Sequence, residues 1–284
     1  MTTHLTQDPQ MQLLPDAVRA PSMDTAALRE AFLVQGLFVD GAVTLRHFDL
    51  DRVVIGGAVP LAAPLALEAP ASIASAFFCE RRELGVLNIG AAGSVTVDGT
   101  GYALAHRDVL YVGRGAKAIS LASADASSPA RFYLVSYPAH AAHPTVRVAA
   151  AEATGAELGA VETANRRRLS KYIHPAAMPS AQLVMGVTEM LPGSVWNTMP
   201  PHTHLRRSEV YLYFGLPADA MVVHLMGAPD ETRHLIVRNQ EAVLSPPWSV
   251  HAGCGTTNYT FCWAMGGENQ DFADMQGAPI PSLR

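Results

Sequence analysis

Apolar and polar positions alternate in short runs along most of this chain, rather than recurring every three or four residues. The stretches VTLRHFDLDRVVIGGAV (43–59), LGVLNIG (84–90), SVTVDGTGYALAHRDVLYVG (94–113), AISLAS (118–123) and RFYLVSY (131–137) are rich in β-branched and aromatic residues and broken by Gly, Asp and Pro. Period-two alternation predicts strands, and turn signals at this spacing predict an antiparallel sandwich or barrel rather than alternating strand and helix units. The pattern resumes in AQLVMGVTEMLPGSVWN (181–197), EVYLYFGL (209–216), AMVVHLMG (220–227), RHLIVRNQEAVLSPP (233–247) and YTFCWAMGG (259–267). Helical spacing is confined to DTAALREAFLVQGL (24–37), which opens on an Asp suited to capping. Between the two strand-rich halves, residues 149–175 are small, then polar, then Arg-rich, and read as a connector that includes a helical turn. The expected organisation is therefore all-β: a tail over 1–21, a β-domain over 22–148, the connector, and a second β-domain over 176–284.

With 284 residues, 49% of them hydrophobic, the chain can bury a large core. A formal net charge of -5 and scattered basic residues supply no field for a phosphate backbone, so nucleic acid is not an expected partner. No apolar run is long enough to span a membrane and no secretory leader pattern opens the sequence, so the expected location is the cytoplasm, with no membrane partner. Three cysteines, Cys79, Cys254 and Cys262, lack metal-motif spacing and are expected as buried free thiols. Lys117 and Lys171 are the only lysines, which draws attention to each.

The chemistry concentrates in PHTHLRRSEVYLYF (201–214). On an extended segment alternate side chains share a side, so His202 and His204 can reach one ion. Glu209, Tyr211 and Tyr213 then alternate on the following strand, and SPPWSVH brings His251 in after a proline turn. Three imidazoles and a carboxylate suit Zn(II), and equally Fe(II), Mn(II) or Ni(II). The first half carries an echo of the second: LAHRDVLYVGRGAKA (104–118) lies on VRNQEAVLSPPWSVH (237–251) and puts Ala118 where His251 stands. The first half also has no His-x-His, so a metal belongs to the second. Of the other histidines, His140 and His143 lie in a Pro- and Ala-rich loop, and His224 and His234 read as sheet residues.

The His202-x-His204-x4-Glu209 pattern with a distant His251 resembles the two metal motifs of the cupin superfamily. Closer still, FFCERRELGVLNIG, SVTVDGTGYAL, KYIHP, QLVMGVTEMLPGSVWNTMPPHTHLRRSEVYLYF, SPPWSVHAG and MGGENQDFADM resemble the bacterial 5-keto-4-deoxyuronate isomerases of pectin breakdown, from about residue 22 to Arg284. That resemblance implies a two-cupin chain whose first barrel is degenerate, one zinc in the second held by His202, His204, Glu209 and His251, and assembly as a homohexamer. It also implies an aldose-ketose isomerisation of a small anionic sugar acid, moving a carbonyl from C1 to C2. The first 20 residues have no counterpart in the family and read as a dispensable tail.

Such chemistry needs a base within hydrogen-bond reach of the transferred proton. Glu268, Lys171 and His174 are the candidates, with Tyr211 as acid or hydrogen-bond donor. Arg206 and Arg207, beside the ligands, are candidates for the substrate carboxylate, as is Lys171. Two enzyme alternatives remain from the sequence, a 5-deoxyglucuronate-type isomerase and an iron dioxygenase, beside a non-catalytic metal cupin that binds a sugar acid.

Overall fold

The computed structural model describes residues 6–7, 10–268 and 273–284. Positions 269–272, inside the MGGENQDFADM stretch, and 1–5 of the N-terminal tail lie outside the described residues. The chain separates into two compact units, one of Met1–Leu13, Gly36–Ala153 and Tyr172–Val184, the other of Leu14–Gln35, Thr154–Lys171 and Met185–Arg284. Nearly all regular structure is strand, as the alternation predicts.

The first unit holds a seven-stranded sheet in the order Thr6–Gln7, Val43–His47, Val54–Ala58, Phe132–Pro138, Arg82–Asn88, Val109–Val112, Val146–Val148. A four-stranded sheet accompanies it, in the order Leu65–Ala66, Ile119–Ser123, Gly93–Val97, Thr100–Leu104. Pairing is antiparallel except between Thr6–Gln7 and Val43–His47. Its interior is apolar: Leu84, Val86, Val95, Leu110, Val112, Phe132 and Leu134 belong to one cluster of buried side chains.

The second unit repeats the plan. Its larger sheet runs Thr154–Leu158, Arg167–Ile173, Val184–Met190, Thr260–Gly267, Arg207–Phe214, Glu241–Ser245, Leu33–Val34. The smaller runs Trp196–Asn197, Ala252–Gly255, Val222–Ala228, Glu231–Val237, and His202–Thr203 pairs with Gln276–Gly277 as a short ribbon. The repeat read from sequence is matched at the turn that precedes corresponding strands. Asp108 accepts from the Ala105 amide as Glu241 accepts from that of Arg238, and Arg107 and Gln240 both have left-handed φ, 68° and 64°.

Two expectations are corrected. The helix ends early, at Thr25–Phe32, capped by Asp24 accepting from the Ala27 amide. Leu33–Val34 then pairs with Glu241–Ser245, because an open sheet edge satisfies those backbone groups as well as another helical turn would. Residues 149–175 are not a connector. Thr154–Leu158 and Arg167–Ile173 pair antiparallel and complete a sheet, since in RRLSKYI the side chains of Arg167, Leu169 and Lys171 alternate with those of Arg168 and Ser170. Within the segment expected as a tail, Ala20 is buried, and Arg233 donates to the carbonyls of Ala20, Pro21 and Met23.

Candidate metal centre and cavity

The second unit gathers its unusual chemistry on the inward side of one strand. Along Arg207–Phe214 the residues Arg207, Glu209 and Tyr211 fall on the same side at period two, and all three line a cavity of about 350 Å³, within the range of small-molecule sites. The ribbon His202–Thr203 brings His202 and His204 over Glu209, and His251 follows the Pro246–Pro247 turn just before Ala252–Gly255. One donor atom from each of His202, His204, Glu209 and His251 lies within 4.8 Å of all the others.

The separations are tight. Glu209 Oε2 is 3.0 Å from His204 Nε2 and 2.9 Å from His251 Nε2, while His251 Nε2 is 3.0 Å from His202 Nε2. Tetrahedral bonds of about 2.0–2.1 Å set donor atoms roughly 3.3 Å apart, so the group has the spacing of a ligand set. The outer nitrogens support the same reading. His204 Nδ1 lies 3.2 Å from the Asp274 carbonyl and 3.3 Å from Arg207 Nε, and His251 Nδ1 lies 3.2 Å from Ser245 Oγ, so each ring is held in orientation by polar neighbours at its outer nitrogen, as around metal-bound imidazoles. Arg207, fully buried, donates from Nη2 to the same Asp274 carbonyl and so braces His204.

Burial, then the neighbouring His251, lowers the His202 imidazole to about 3, so it is neutral and able to ligate. For Glu209 burial pulls upward, but the charge of His251 and hydrogen bonds from His204 and His251 outweigh it and hold the carboxyl below its usual range. The donor set is convergent, three of its four residues are buried, and three imidazoles with a carboxylate fit a divalent cation.

Tyr211 stands beside this group with its hydroxyl 3.2 Å from Thr198 Oγ1, and burial followed by the charge of Glu209 pushes it well above the usual phenol range. It is a donor, not a phenolate. Tyr213 lies deeper, its hydroxyl 2.8 Å from His224 Nδ1. Trp263, Phe261, Met265, Met275, Met199 and Leu169 make the cavity walls mainly apolar. Trp263 packs against Gly186, where a Cβ would fall 2.1 Å from the indole, and donates to Thr188 Oγ1.

The remaining candidates separate. Glu268 is exposed, and neither it nor Lys171 nor His174 lines the cavity; His174 belongs to the chain segment of the first unit. Of the expected acid–base residues, Tyr211 alone is there. Arg206 points outward to Asp274 (2.8 Å), because the strand alternation that turns Arg207 inward turns its neighbour away. Sequence reading passed over Arg167, which does line the cavity. Its signal was the alternation in RRLSK, hidden by treating that stretch as a connector.

Residues 43–278 match the KduI/IolB family. A protein of Kineococcus radiotolerans named 4-deoxy-L-threo-5-hexosulose-uronate ketol-isomerase is 55% identical over 269 residues, covering 94% of this chain and 96% of that one. A protein of the same name from Escherichia coli (strain SE11) is 47% identical over 270 residues, covering 94% and 97%. Among solved structures, an IolB-like protein from Salmonella typhimurium superposes with a TM-score of 0.65 at 13% identity, over 79% of this chain and 87% of that one. An oxalate decarboxylase from Lactobacillus farciminis superposes with a TM-score of 0.54 at 10% identity, over 76% and 77%. These two likenesses establish a cupin-like fold and nothing of the chemistry.

Proposed function

We propose, from the premise that this chain belongs to the KduI/IolB family, that it is a ketol-isomerase acting on 4-deoxy-L-threo-5-hexosulose uronate in pectin breakdown. The reaction carries hydrogen from C2 to C1 of the open-chain sugar acid and leaves the carbonyl at C2. The observation that carries the reading is the convergence of His202, His204, Glu209 and His251 beside a mainly apolar cavity, in a chain so similar to isomerases of that name. Those four side chains would hold one zinc ion. A zinc ion bound there would supply Lewis-acid polarisation of the reacting carbonyl. Tyr211 donates its hydroxyl hydrogen bond to the substrate oxygen that gains charge, and its raised pKa keeps the proton available. Arg207 positions His204 through the Asp274 carbonyl, and the walls of Trp263, Phe261 and Met265 keep water from the reacting carbons.

The paired seven- and four-stranded sheets of each unit support two cupin barrels, with the metal in the second. The working assembly is a homohexamer, and the three free thiols support a reducing, cytoplasmic setting. No helix among the described residues is long and apolar enough to cross a membrane.

The test couples metal analysis to an isomerisation assay on the deoxyketouronate released by a pectate lyase. Loss of the C1 aldehyde or hydrate resonance at unchanged mass, by a protein holding one zinc per chain, supports the reading. A zinc-loaded protein that binds the sugar acid without converting it, or that consumes oxygen, would sink it.

A further inference from the structure

The cavity wall contains a cation that the metal group does not use. Arg167 opens the strand Arg167–Ile173 and is half-buried, and with Leu169 two residues on it lines the cavity that holds His202, His204, Glu209 and Tyr211. Its neighbours Arg166 and Arg168 turn to the other side of the strand, and both bind Glu157, at 3.1 and 3.2 Å. Arg167 forms no ion pair among the described residues. Its guanidinium donates to the backbone carbonyl of Asn165 (2.9 Å), whereas a guanidinium has five N–H donors in a planar fork.

The other arginines near the site are committed elsewhere. Arg206 is tied to Asp274 on the exterior, and Arg207 is packed against His204 and the Asp274 carbonyl. Burial works against the charge of Arg167. It still holds its proton, since guanidinium does not deprotonate in proteins. Leu158 stands opposite it on the neighbouring strand, and Leu169 and Met275 line the same cavity.

We infer that Arg167 binds the carboxylate of the sugar acid through a bidentate, charge-assisted pair, and thereby selects a uronate over a neutral sugar and leaves the carbonyl end free to reach the His/Glu group. The inference rests on the ketol-isomerase reading and adds the anion subsite to it. Arg167 binds and orients; it takes no part in the proton transfer.

The experiment compares wild type, R167M and R167K, all full-length and zinc-loaded, on the deoxyketouronate and on its uronamide, which is neutral at the same end. In R167M the KM for the acid should rise on the order of 10- to 100-fold, with kcat changing less and zinc content unchanged. R167K should recover part of the loss, because an ammonium cannot bind both oxygens in a fork. Wild type should prefer acid to amide, and R167M should treat them alike. A folded, zinc-loaded R167M that keeps the wild-type preference for the acid overturns the inference while the isomerase reading stands. Should R167M fail to fold or to load zinc, the acid-to-amide ratio in R167K decides between the same outcomes. A wild type that isomerises neither compound removes the isomerase reading and this inference with it.

Discussion

The two halves of this chain run the same strands through opposite interiors. In the first, Cys79-Glu-Arg-Arg-Glu-Leu84 leads into the strand Arg82–Asn88; in the second, His204-Leu-Arg-Arg-Ser-Glu209 leads into Arg207–Phe214. Register places them together. Leu84 stands opposite Val112 and Ser136 as Glu209 stands opposite Ser245 and Met265, and both Arg82 and Arg207 are buried. In that alignment Phe77, Cys79, Leu84 and Ala118 occupy the places of His202, His204, Glu209 and His251. The first half therefore has no imidazole or carboxylate at these places: Cys79 and Leu84 sit in its apolar cluster, while Phe77 and Ala118 line a cavity of about 280 Å³. Backbone pairing tolerates either interior, but a polar one is stable only if every group it buries has a partner.

The sharpest way to break this contrast is to exchange the residues. Glu209→Leu gives the second half the first half's side chain and should weaken metal binding by more than about 100-fold, exceeding the usual effect of losing an outer-shell contact, and abolish isomerisation. The far-UV spectrum should stay that of the wild type; metal analysis showing full occupancy would dissolve the assigned difference. The reverse exchange, Leu84→Glu, puts a carboxylate among Val86, Val112 and Leu134 without imidazoles and should cost about 3–5 kcal/mol in urea unfolding, as an uncompensated buried charge does. A variant as stable as wild type would mean that the first interior already accommodates charge.

Smaller effects refine the picture. Tyr211→Phe removes a hydroxyl for which the first half has Val86 at the corresponding place, and should lower kcat about 100-fold while zinc content and KM hold. An unchanged kcat would reduce Tyr211 to packing. Both halves also bury a neutral histidine. Burial and then the Arg82 charge lower His47 to about 4, and burial and then His251 lower His224 to about 3. Below pH 6.5 the unfolded chain takes up protons that these folded imidazoles refuse, so stability is complete above that value and falls with pH toward 4 and 3. For the metal-free protein each should add at most about 1.4 kcal/mol per pH unit to the slope. His47→Gln and His224→Gln should each flatten the dependence of the urea midpoint between pH 7 and 5; no change in slope would count against neutral burial.

Much of this was legible in the residues. Strand alternation, the His202-x-His204 pair, Glu209 and the proline turn before His251 are local patterns whose physical meaning, a shared side or a bend, does not depend on distant partners. What stayed hidden depended on neighbours. RRLSKYI reads as a polar connector until a partner strand appears at Thr154–Leu158, and only then does Arg167 turn inward. Lys171, His174 and Glu268 carry suitable chemistry in sequence, yet their elements face elsewhere.

The amino-acid sequence by itself determined that this is a β-protein with an internal repeat and that the second copy carries metal-ligand chemistry, because periodicity and side-chain type act over a few residues. Tertiary structure decided which side chains share a volume. Donor atoms from His202, Glu209 and the sequence-distant His251 meet within 4.8 Å, and Arg207 rather than Arg206 braces them. A cavity is a property of packed sheets, and no single segment specifies its contents.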